Sequence, residues 1–279
     1  MPQETNLNVS PYFDDYNEPT IGGKDKDYYK VLFKPGFPVQ ARELTGLQSI
    51  LQNQIEQFGS HFFKDGAKII PGQTSYSNNV SAIQIEDDFA GLPVSLYLDN
   101  LVGKKITGAT TNIQATVDKV ISAEKSERNT HTLYISYIST STVDNTTTQF
   151  ADSEILTVDD TLSFGSSYIS AGEGFAATIA NNCNSTSSIF SISNGVYFVR
   201  GYFVDVNDES IVLDQYTNNP SCRVGFLVNE EIISADVDGS LGDNAQGFNN
   251  YAAPGADSLK VTVSLLKKDI DDFYDQNFI

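Results

Sequence analysis

The chain has no tryptophan, one methionine, two histidines and two cysteines among 279 residues, and these scarcities exclude much chemistry. Cys183 and Cys222 lie far apart and neither belongs to a CxxC pair. Only His61 and His131 could join them, so the four-ligand spacing of a zinc site is missing. Two buried thiols are the expected state, with a disulfide open if the positions meet. No GxSxG elbow, phosphate-binding Walker loop or HExxH helix occurs. His61 falls on an apolar helical seam and His131 in a polar loop, and neither is assigned as a base. The carboxylate pairs Asp87–Asp88 and Asp159–Asp160 are adjacent in sequence, and neighbours in a strand point to opposite faces. They read as solvated turn residues. The run Asp236–Asp243 departs from a calcium loop: its glycine comes two positions early, Ser240 takes the fifth position and no glutamate takes the twelfth. No catalytic residue, metal or cofactor is assigned, and no enzyme is expected.

Basic residues are also scarce. There are 17 Lys and Arg against 36 Asp and Glu, a net charge of −19. Residues 1–70 hold 7 basic and 9 acidic side chains, and residues 71–279 hold 10 and 27. The first part is nearly neutral, as a docking surface is, while the remainder repels nucleic acid and anionic membranes. No apolar run approaches the ~18 residues that span a bilayer. The opening Met-Pro-Gln-Glu-Thr-Asn-Leu-Asn has neither the basic segment nor the apolar core of a signal peptide. A soluble chain without membrane insertion is the expectation.

What is abundant is β-forming. Hydrophobic residues make up 40% and include 17 Phe and 14 Tyr, enough for a β-rich core. Prolines 2, 11, 19, 35 and 38 break any helix across the first 38 residues, so residues 1–40 read as an extended arm. Ile21-Gly-Gly-Lys-Asp-Lys-Asp reads as a polar turn, and Tyr28–Pro35 as a short strand. The arm carries Tyr12, Phe13, Tyr16, Tyr28 and Phe33. It either lies along a neighbour or folds back on its own domain.

From residue 63 the pattern alternates with period two, as half-buried strands do. The stretch Ala67–Gly72 ends a strand, and Ser81–Glu86 and Pro93–Leu98 follow. Residues 63–100 and 167–268 form the expected main β domain. Residues 101–166, four or five short strands joined by polar loops, form an inserted or adjacent small β-barrel. Its loop 139–148 reads as mobile, and Asp243–Asp257 as a long ordered loop. Gly195–Val206 is two strands or one strand bent at Gly201. Residues 269–279 read as the start of a continuing segment. The fold class is mainly β with one N-terminal α-helix.

That helix, expected over Ala41–Gln57 within a 41–62 segment, is the most informative stretch. Gly59 reads as its stop. Leu44, Leu47, Leu51, Gln54, Phe58 and His61 follow the 3-4 spacing of a coiled-coil seam, and Ile50 and Ile55 widen it. Glutamines at 40, 48, 52, 54 and 57 leave little charge to solvate its outer faces. The helix either packs on its own sheet or is buried against other chains. A seam of under three heptads, short for a coiled coil, favours the former from periodicity alone.

Several segments together resemble a family of virion structural proteins of contractile-tailed bacteriophages, notably those of marine cyanobacteria. They are Tyr28–Gly59, Gly195–Val204, Arg223–Ile233 and Leu241–Lys260. Residues 101–166 match only loosely, through Gly103-x-x-Ile-Thr-Gly-x-Thr110. Members are described as tail-fibre-like or baseplate-associated, with a domain of unknown function. The resemblance implies a virion role assembled in the host cytoplasm: the tail-proximal part of a homotrimeric fibre, attached to tail or baseplate proteins for host adsorption. Leu44, Leu47, Leu51, Gln54, Ile55 and Phe58 would then line the interchain seam, Gln54 fixing register, and the arm would dock the trimer. Two other readings are a carbohydrate-binding module, weakened by the lack of tryptophan, and a depolymerase, which needs two carboxylates about 5–10 Å apart.

Overall fold

The computed structural model describes residues 3–18, 22–70, 72–272 and 277–279. Pro2, Pro19, Ile21 and Pro71, and residues 273–276 of the expected continuing segment, lie outside them. The chain is mainly β, with one α-helix among the described residues, α1, over Ala41–Phe62. It divides into two compact units, residues 1–74, 192–209 and 223–279, and residues 75–191 and 210–222.

The second unit is built on an eight-stranded sheet. In spatial order its strands are Gly174–Ala177, Ile155–Val158, Lys105–Gly108, Gln114–Ile121, His131–Tyr137, Thr74–Ile85, Asn184–Ile192 and Glu209–Asp214. Period-two alternation sorts its faces. Ile83, Leu133 and Ile135 enter one core with Ile106, Val117, Tyr97 and Phe175, while Ala82, Tyr134 and Val212 pack together as a second cluster. The 101–166 block is therefore not a separate barrel: its strands share both sheet and core with residues 83–98 and 175. The reason is its strand order, which places His131–Tyr137 between Gln114–Ile121 and Thr74–Ile85.

One buried carboxylate organises that unit. Glu154, 1% exposed, accepts from the backbone N–H groups of Thr110 at 2.9 Å, Thr111 at 2.6 Å and Ala151 at 2.8 Å, and from the Thr111 hydroxyl at 2.9 Å. A Cβ at Gly108 would stand 2.4 Å from Glu154 Oε1, which explains the second glycine of Gly-x-x-Ile-Thr-Gly-x-Thr. The loop 139–148 is ordered by Asp144, which accepts from Thr146 N at 3.0 Å and Thr147 N at 2.9 Å. The Thr147 hydroxyl, which also donates to it, and these backbone N–H groups hold its carboxyl well below the usual range.

In the first unit, Gly195–Val206 is a hairpin: Gly195–Val199 pairs with Tyr202–Val206 across Arg200-Gly201. Both turn residues have positive φ, 51° and 87°, the type I′ geometry that matches strand twist. Ala67–Ile70 adds a third strand. A two-stranded ribbon of Cys222–Ile233 and Ser258–Asp269 completes the unit, and Tyr197 meets Phe226 edge-on at 4.8 Å. Residues 277–279 pair back on the ribbon through Phe226 and Val228.

The helix starts where expected, with Glu43 Oε2 accepting from Gln40 N at 3.0 Å. It does not stop at Gly59. There α1 crosses Phe198 so closely that a Cβ would lie 2.4 Å from the ring, so this glycine is a packing requirement inside the helix. Gly46 meets nothing within 4 Å. Two outcomes follow, measured as urea midpoints. Gly46→Ala should stabilise the protein by about 1 kcal/mol through helix propensity. Gly59→Ala should destabilise it by ~1–3 kcal/mol by overpacking.

Candidate interaction surface

Helix α1 has two opposite faces. Toward its own unit it presents Ile50, Asn53 and Gly59, all buried. Gln52 Nε2 donates to Gly201 O at 2.9 Å, and Ser49 Oγ donates to Asp14 Oδ2 at 2.5 Å. Packing this face on the hairpin turns the expected seam outward. Leu44 is 52% exposed, Leu51 57%, Ile55 44%, Phe58 65% and Phe62 63%; Leu47 is half-buried and Gln54 exposed. At 100° per residue these side chains form one stripe along the helix. The helix packs on its own sheet, the first of the two alternatives the sequence left open, and leaves its apolar seam uncovered. Helix periodicity alone could not choose: Ile50, read as widening the seam, turns inward instead, and the rest of the inner face is small and polar.

The arm residues separate into two groups. Tyr16 is buried at 5% exposure, and Tyr12 donates from its hydroxyl to Asp257 Oδ2 at 2.5 Å. These two belong to the fold of the first unit, since residues 3–18 turn back onto it. Phe13, Tyr28 and Phe33 remain exposed at 57%, 59% and 48%. They are joined by Tyr29, Leu32, Phe37 and Val39, which the sequence reading did not single out. The strand expected over Tyr28–Pro35 does not form, because among the described residues no strand pairs with it. Among the described residues the backbone of 29–33 makes no hydrogen bond.

The fold-back is held by Arg200, at the hairpin turn and 2% exposed. Its Nη1 lies 2.7 Å from Glu230 Oε1, and its Nη2 lies 3.0 Å from Glu4 Oε1 and 2.5 Å from Asn277 Oδ1. Glu230 also accepts from Glu4 N at 3.1 Å and Thr5 N at 2.7 Å. One buried guanidinium therefore gathers the start of the chain, the ribbon and residue 277. Sequence reading missed this clasp; the only cue was an arginine before glycine at a hairpin turn.

The groups considered for chemistry are engaged structurally. His131 is not in a loop but opens a strand, buried, with Nδ1 accepting from Ala123 N at 2.9 Å. Asp159 and Asp160 pair with Lys105 at 3.0 Å and Lys104 at 3.4 Å. Asp238 and Asp243 close turns of their own loop, accepting from Ser240 N at 2.9 Å and Ala245 N at 2.8 Å. Among the described residues no cluster of three or more His, Cys, Asp or Glu could hold a metal ion. Among them, too, no helix is long and apolar enough to cross a membrane. Cys183 and Cys222 are not joined by a disulfide. Burial pushes the Cys183 thiol up to about 12, with Asp152 adding to the effect. Cys183 should therefore resist maleimide at pH 8 in the folded protein and react only on unfolding, as read by peptide mass.

No protein-family model, curated protein or solved structure matches the chain.

Proposed function

We propose that this chain is a structural component of a phage tail, the tail-proximal part of a homotrimeric fibre held together through α1. The observation that carries this reading is the outward stripe of Leu44, Leu51, Ile55 and Phe58, in heptad spacing on a helix already packed on its other side. A stripe with that repeat is matched by helices of the same repeat, each side chain entering a hole on the facing helix. Gln48, Gln54 and Gln57 flank it, so nothing in its charge selects a charged partner. Three copies about one axis bury the stripe in each. The resemblance of Tyr28–Gly59 and Gly195–Val204 to fibre-like virion proteins supplies the biological setting.

Immunogold electron microscopy of virions from a phage encoding the chain tests this role. Label at the junction of tail and fibre is expected. Label on the capsid alone, or none on intact virions, would contradict it.

A further inference from the structure

We propose that Tyr28–Val39 is a strap that seats on a second copy of this chain, in the acidic groove between Tyr202–Val206 and Ser258–Asp269. The inference rests on the homo-oligomeric reading above and adds a second contact between copies.

The strap forms neither helix nor strand, turns once at Lys34–Phe37, and every residue from 28 to 39 except Val31 is exposed. Tyr28, Tyr29, Leu32, Phe33, Phe37 and Val39 give their apolar surface to water at 48–74% exposure. Tyr, Val and Phe are strand formers, yet residues 29–33 have no ladder partner among the described residues. Segments of this kind bind by adding in extended form to an open strand edge, with side chains entering pockets alternately.

The groove offers such an edge. Tyr202–Val206 ends its three-stranded sheet, and Ser258–Asp269 is one of the two strands of the ribbon. Between them lies an open groove of about 280 Å³ lined by Asp205, Asp208, Glu209, Val206, Val261 and Val263 among others. Asp205 and Asp208 are exposed; Asp208 already accepts from Asn194 N, and Glu209 from Leu265 N at 2.8 Å. The strap carries Lys30 and Lys34 and no acid, in a chain of net charge −19. A basic aromatic strap and an acidic groove with apolar walls are complementary, and both recur on every copy. That complementarity selects a second copy over a foreign protein.

Two chains expressed together give the test. One carries Lys30→Arg and Lys34→Arg, the other Asp205→Asn and Asp208→Asn, so a carbodiimide cross-link from Lys30 or Lys34 to Asp205 or Asp208 can form only between chains. Such cross-links are expected. In the native protein, hydrogen exchange at residues 29–33 should be slowed at least ~100-fold, and Lys30→Glu with Lys34→Glu should remove that protection. Adding Asp205→Lys and Asp208→Lys should restore it. An assembled trimer without these cross-links, and with 29–33 exchanging freely, overturns the strap and leaves the α1 seam standing. Protection that appears only when another tail protein is added also overturns it.

Discussion

Changing Leu51 and Phe58 together to aspartate should reduce the protein from an assembly to a single chain of 30.5 kDa, with its circular dichroism unchanged. In one chain these side chains are 57% and 65% exposed, so their loss removes little of the chain's own packing. In a seam each is buried, and burying a Leu or Phe stabilises by about 1.5–3 kcal/mol. Two such side chains in each of three chains amount to on the order of 10 kcal/mol, many decades in an association constant. Aspartate adds like charges at the axis, which deepens the effect. Sedimentation velocity reads the result. A variant that stays assembled would place the interface elsewhere on the chain. Deleting residues 1–62 is a poorer experiment, because it also strips Ile50, Asn53 and Gly59 from the first unit.

Arg200→Ala should have the largest effect on folding, a loss of about 3–5 kcal/mol. That is the range for removing one partner of a buried ion pair, since the other charge is left without compensation. Glu230, whose side chain is 4% exposed, would be that charge. The same substitution should free residues 3–5 and 277 to exchange amide hydrogens, because Glu4, Thr5 and Asn277 converge on this pair. Urea unfolding and hydrogen exchange measure both effects, and a loss under 1 kcal/mol would show the clasp to be incidental. Acid should weaken the same node. Burial alone would raise the Glu230 carboxyl, but hydrogen bonds from Arg200 and Thr5 outweigh it and hold the group below its ordinary 4.5. Its contribution is therefore full above pH 4.5 and is lost as the pH falls through the lowered value. Arg200→Ala should remove that part of the acid sensitivity.

The helix, the β-rich class and the apolar seam were legible because each rests on local periodicity. Leu44, Leu51, Ile55 and Phe58 repeat as a seam must, whatever covers them. Which face turns inward was not legible. It depends on Gly59 meeting Phe198, 139 residues later in the chain, and on small side chains that leave no hydrophobic trace. Long-range pairing hid the architecture in the same way. Thr74–Ile85 lies between His131–Tyr137 and Asn184–Ile192, so segments that look consecutive belong to different units. The arm misled for a third reason. Tyr12 and Tyr16 have the same composition as Tyr28 and Tyr29, and only the contacts at Asp257, Asp14 and Arg200 separate the folded part from the exposed one.

The most direct measurement is sedimentation equilibrium of the intact chain over a wide concentration range. The seam requires a mass three times 30.5 kDa that persists on dilution. A mass of 30.5 kDa at every concentration would leave the α1 stripe bare in solution and contradict the homotrimer.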